Sequence, residues 1–175
     1  MQVKAPADSA QLAMAWKVPR LEPGKLDDPE PYALELLTAV LDGYDNARLN
    51  RTLVKQEKVV NDVGVGYDMI SRGPELFLIS AAVAKGKTVN QAQASIRKAL
   101  EELKQKGILE SELKRIKVRI LSDQIYKRDS IFGQAMEIGT TEMAGFSWRD
   151  IDYMLEKMQT ITPEQVQAVA KKYLI

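Results

Sequence analysis

Acid–base or metal chemistry in this chain falls to carboxylates, lysines and tyrosines, because its 175 residues include no histidine and no cysteine. A Ser-His-Asp triad, a thiol nucleophile, a Cys/His zinc site and a disulfide framework are all excluded within the chain. What remains is general acid–base work by Asp, Glu, Lys or Tyr, and oxygen-ligand sites for Ca²⁺ or Mg²⁺. The missing cysteines suit the cytosol and the periplasm equally.

Four groups of residues invite a chemical reading, and each has a plainer one. Gly64-Val65-Gly66 lacks the third glycine of a dinucleotide fingerprint and lies inside a strand pattern, so it reads as strand packing. Asp42-Gly43-Tyr44-Asp45-Asn46 has calcium-type residues without the loop spacing or the distal Glu, so it reads as a helix stop. Glu101, Glu102, Glu110 and Glu112 occupy polar helix faces and read as solvated. The basic run Lys114-Arg115-Ile116-Lys117-Val118-Arg119 reads as an exposed face, with a polyanion site as the alternative. No nucleophile–base pair emerges.

Hydrophobic residues make up 45% of the chain and charged residues 28%, enough to bury a core in one globular domain. Lys+Arg is 25 against Asp+Glu 24, a net charge of +1, which argues against a general nucleic-acid binder. The start, residues 1–10, is mixed and polar, without the apolar stretch of a signal peptide. Apolar runs such as 76–84 are too short to span a bilayer.

These residues must be held by a small set of elements. Leu12, Met14, Trp16 and Val18 alternate with Ala13, Ala15 and Lys17, a strand ended by Pro19. Asp27 or Asp28 caps a helix over 32–41, apolar nearly all round, which Gly43 closes. A short helical piece follows at 47–56. Residues 59–68 form a second strand with Gly64 and Gly66 on one face, implying close backbone approach or a cavity wall. Residues 75–84 are continuously apolar, as in a central strand covered on both faces. Everything after Gly86 is helical. Thr88 with Gln91 and Thr162 with Gln165 make capping boxes. One helix runs from Ser111 to about Ile138, with Leu113, Ile116, Ile120, Leu121, Ile125 and Tyr126 as its apolar stripe and a bend at 127–130. Two more cover 148–158 and 162–173. Adjacent strands followed by grouped helices predict an α+β two-layer sandwich with a largely antiparallel sheet. Three strands are few for so many helices. The stop at Lys172-Tyr173-Leu174-Ile175, on a helical pattern with no polar tail, suggests a fragment cut before a last strand, the alternative being a natural C-terminal helix.

Three segments then resemble one family. Asp28-Pro-Glu-Pro-Tyr-Ala-Leu-Glu-Leu-Leu-Thr-Ala-Val-Leu-Asp-Gly43 is similar to the "DPDxxALELLNxILGG" helix of M16 (insulinase, pitrilysin and mitochondrial processing peptidase-like) zinc metallopeptidases. Ala47-Arg48-Leu49, running on to Leu53, resembles the "SRLFxxLR" segment, and Ile161 to Leu174 resembles "vTpexvqavAkkyl". The resemblance covers nearly the whole chain, read as a single C-terminal-type domain over 1–175. It implies the half of a two-domain clam that carries no zinc. Zinc is expected in an N-terminal His-x-x-Glu-His domain of the parent protein, and no activity is expected from this chain alone. It also implies a peptide substrate, that N-terminal domain as partner, and a second M16 chain. In many members this domain offers an Arg and a Tyr to the substrate carbonyl, within "LRxKxxLxY". The corresponding positions here are Val54 and Asn61, which cannot act as that pair; Arg51 and Tyr67 lie nearby, out of register. The same resemblance leaves a catalytically inactive scaffold or core subunit as the alternative, and beyond it an unrelated α+β interaction module. Exported bacterial members suggest the periplasm, with the cytoplasm as alternative.

Overall fold

The computed structural model describes residues 9–175; residues 1–8, most of the stretch read for a signal pattern, lie outside the described residues. The chain runs β1 (Gln11–Val18), α1 (Pro29–Asp42), a π-helix (Asn50–Gln56), β2 (Val60–Gly66), β3 (Glu75–Val83), α2 (Val89–Lys106), α3 (Glu110–Arg128), α4 (Ile131–Met143), α5 (Asp150–Thr160) and α6 (Pro163–Tyr173). The three strands form one antiparallel sheet in the order β1-β3-β2. Trp16 lies opposite Phe77, and Ile79 lies between Met14 and Val65. The expected α+β architecture with 75–84 at its centre is therefore present.

Alternation decides which face of the sheet is dry. Met14, Val18, Val60, Val63, Phe77, Ile79, Ala81 and Val83 are buried in the core against the helices. The other face carries Ala13, Ala15, Ser80 and Gly66, all exposed. Here the structure corrects the reading of β3 as covered on both faces. Leu76 and Leu78 are 49% and 38% exposed, since no element of the described residues packs on that side. The apolar run of β3 still follows a period of two.

Helix α1 is the buried centre of the helical layer. The Asp28 side chain accepts from the Glu30 amide at 3.0 Å, and Pro29 and Pro31 fill the first turn. Tyr32, Leu34, Leu36, Leu37, Val40 and Leu41 are all buried. Gly43 closes the helix, its amide bonding to the Ala39 carbonyl at 2.8 Å, and the position needs a glycine because a Cβ there would meet that oxygen at 2.6 Å. The final helix α6 lies along α1, where Lys172 pairs with Glu30 at 2.5 Å and the Tyr173 hydroxyl also donates to Glu30. Both predicted capping boxes are made, at Thr88–Gln91 and Thr162–Gln165.

The long helix expected from 111 to 138 is two helices. Ser130 accepts from the Gly133 amide at 3.0 Å and starts a new helix, so the bend becomes a break. The predicted stripe also fails halfway. Leu113 and Ile116 are buried, but Leu121, Ile125 and Tyr126 are exposed, the last two at 63% and 73%. The second half of α3 leaves the core and is tied to α4 by polar contacts, Gln124 and Lys127 both reaching Glu137.

One acid interrupts the apolar helix α1. Glu35 is half-buried and accepts no hydrogen bond among the described residues. Burial, together with the nearby Asp68 carboxylate, pushes its pKa up to about 7 from an ordinary 4.5. The folded state thus holds a proton that the unfolded chain releases. Between about pH 4.5 and 7 the unfolded chain binds fewer protons, so stability falls as pH rises. The loss approaches about 3 kcal/mol above pH 7. Urea titrations at pH 5 and pH 8 should show this decline in the unsubstituted protein and not in Glu35→Gln. Equal declines in both would show that Glu35 is not its source.

Candidate functional site

The residues aligned with the family's substrate-contacting pair fall on the π-helix and the start of β2. This segment is anchored by Leu49 and Leu53, both fully buried. Arg51 makes an ordinary helical bond to the Ala47 carbonyl at 2.9 Å, whereas Glu57 bonds five residues back to Thr52 at 2.8 Å, the wide turn of a π-helix. The Val59 amide then bonds to Leu53 at 3.0 Å, across Lys58 in the left-handed region at φ 51°. That is a C-terminal cap of the kind usually built with glycine.

Val54, at the aligned arginine position, is half-buried and packs against the core. Asn61, at the aligned tyrosine position, is the extra residue of a β-bulge: Val60 pairs with Val83 while Asp62 already pairs with Ala82. Its side chain is exposed. Neither out-of-register residue restores the pair. The Tyr67 hydroxyl donates to the Pro19 carbonyl at 2.8 Å, and burial pushes its pKa up. Arg51 is exposed on the rim of a neighbouring cleft.

That cleft, about 430 Å³, opens between the π-helix, α2 and the turn into α3. At its wall is a feature that spacing did not reveal. Arg48 grips Glu112 with two bonds, Nε to Oε1 at 2.9 Å and Nη2 to Oε2 at 2.5 Å, and gives Nη1 to the Gly107 carbonyl at 3.2 Å. Glu112 is only 8% exposed, which corrects its reading as a solvated acid. Its partner lies 64 residues away, beyond any helical periodicity. Glu101, Glu102 and Glu110 are exposed as read. Two further cleft acids are matched more loosely, Glu57 by Lys98 and Glu102 by Lys106, each at 3.6 Å. Arg51 and Arg115 carry no ion pair among the described residues and leave the cleft with a positive surplus. Guanidiniums can hold a carboxylate or a carbonyl, but they neither attack nor abstract a proton.

The other groups singled out resolve into structure. Asp42 accepts from the Val65 amide at 3.0 Å, tying the end of α1 to β2. Gly64 approaches the Ser80 hydroxyl, which would lie 3.4 Å from an added Cβ, while Gly66 faces open space. The basic run divides. Lys114, Arg115 and Arg119 are exposed, but Lys117 donates to the carbonyls of Gln159 and Ile161 at 2.8 and 2.5 Å. Burial holds the Lys117 pKa down. The described residues contain no group of three or more His, Cys, Asp or Glu able to hold a metal ion. No helix among them is long and apolar enough to cross a membrane.

Residues 2–119 match the profile of the peptidase M16 inactive domain. Comparison by sequence with curated proteins returns no match. Among solved structures, a protease from Helicobacter pylori superposes with a TM-score of 0.84 at 19% identity, covering 94% of this chain and 38% of that one. The inactive peptidase domain of a candidate zinc protease from Bordetella parapertussis gives 0.80 at 20% identity, covering 97% and 87%. A chain of complex III2 from Candida albicans gives 0.69 at 16% identity, covering 93% and 39%. This chain thus spans well under half the length of the Helicobacter and Candida chains. At these identities the likeness is one of fold.

Proposed function

The chain belongs to the peptidase M16 inactive-domain family, and from that premise we propose that it is the non-catalytic half of an M16-type zinc protease. In this reading it walls part of the peptide chamber and presents an interface to a zinc-bearing N-terminal domain and to a second M16 chain. In this reading zinc belongs to that other domain, and the described residues of this chain supply none of its ligands.

The observation that carries the reading is the emptiness of the aligned pair. Val54 packs half-buried against the core and has no donor, and Asn61 ends on a short side chain at a bulge. The neighbouring cleft adds a surplus of cations, and each of its three carboxylates, Glu57, Glu102 and Glu112, is paired with one. Such a surface can shape and hold a peptide while the chemistry happens elsewhere. The likeness to a complex III2 chain supports the second reading, an M16-like scaffold without proteolysis.

The test is metal analysis of the purified chain after dialysis, alongside a peptide-cleavage assay with added zinc. The expected result is no stoichiometric zinc and no cleavage. One zinc per chain with chelator-sensitive cleavage would overturn the proposal.

A further inference from the structure

Away from the cleft, a second cavity of about 290 Å³ opens where α1, the segment after β2, α3, α4 and α5 meet. Much of its wall is apolar and adaptable, with Met69, Met154 and Met158 prominent. Its charges do not balance. The lining includes three carboxylates, Glu35, Asp68 and Glu137, and one ammonium, Lys127. Lys127 is already committed to Glu137 at 3.1 Å, and Gln124 donates to both Glu137 oxygens at 3.0 and 2.9 Å. Asp68 accepts only the Ile70 amide, at 3.0 Å. Glu35 accepts nothing among the described residues, and α5 contributes no charged group to the lining.

A half-buried carboxylate that accepts nothing from the protein is costly to charge unless something pairs with it. The partner that suits both the acid and the methionine walls is a cation on an aliphatic arm. We propose that this cavity is a binding site for a primary alkylammonium group, with Glu35 as its main counter-ion and Asp68 as the second. The arm would lie along the methionines while the ammonium meets the two free carboxylates. The ammonium could belong to a free amine or to a lysine side chain, and the chemistry is the same. The inference stands on the cavity alone and does not depend on the protease reading.

Titration calorimetry at pH 8 with n-pentylammonium, with a capped Ala-Lys-Ala peptide and with neutral n-pentanol tests it. At least one ammonium ligand should bind, and n-pentanol should bind about tenfold more weakly or worse. Glu35→Gln should weaken ammonium binding by about tenfold or more, and Asp68→Asn by a smaller factor. Lowering the pH to 5.5 should weaken it in the unsubstituted protein, because Glu35 then holds a proton. Tighter binding of pentylammonium would indicate a free amine as the occupant, and tighter binding of the peptide a lysine side chain. Asp68 is exposed, so Asp68→Asn should fold even if Glu35→Gln does not. No binding by either ammonium ligand, equal binding of n-pentanol, or ammonium binding indifferent to both substitutions would overturn the proposal.

Discussion

Glu112→Ala should lower the unfolding free energy by about 3–5 kcal/mol, the cost of leaving one member of a buried ion pair alone. Arg48 would keep only its bond to the Gly107 carbonyl, with its guanidinium still largely out of water. In a chain of this size that loss corresponds to a melting temperature roughly 10 °C lower. The double variant Arg48→Met, Glu112→Leu should recover most of the loss, because the pair's Coulomb attraction is spent largely on its own desolvation. Thermal melts of the single and double variants check this. A loss under about 1 kcal/mol from Glu112→Ala, the range of an exposed pair, would show that the contact is not buried in solution. The pair also bears on the site. It joins the segment entering the π-helix to the first turn of α3, and so sets the width of the cleft between them.

Local patterns in the sequence carried much of this fold. Two capping boxes, the Asp28 cap and the Gly43 stop each depend on residues within a few positions of one another, and all are made. The alternation in β1 predicted its inward face correctly because one side of a sheet packs on helices. Periodicity failed where it had to predict distance from the core. Ile125 and Tyr126 continue the apolar stripe of α3, yet nothing in their spacing shows that the helix has by then passed the core's edge. Leu76 and Leu78 extend an apolar run whose second face has no cover among the described residues. The site divides in the same way. The positions of Val54 and Asn61 follow from a resemblance of contiguous segments, and their inability to act follows from their chemistry. The Arg48–Glu112 pair and the unpaired Glu35 depend on contacts between α1, α3 and the segments after α1 and β2. No pattern in one stretch could show them.

The central claim is that this domain brings no transition-state donor to proteolysis. A tetrahedral intermediate gathers charge on the former carbonyl oxygen, and each fixed donor aimed there is worth about 3–4 kcal/mol, or roughly 10²–10³ in rate. Val54 supplies none, and Asn61 is much shorter than the tyrosine it replaces. On the proposed function, a partner chain would provide both. The most direct measurement compares peptide cleavage by the full-length parent protein alone with cleavage in the presence of candidate M16 partner chains. The expected result is a rate near background for the protein alone and a rise of at least about 10²-fold with the right partner. Full activity from the protein alone would contradict the claim, and would assign the missing donors to Arg51 or to the zinc-bearing domain.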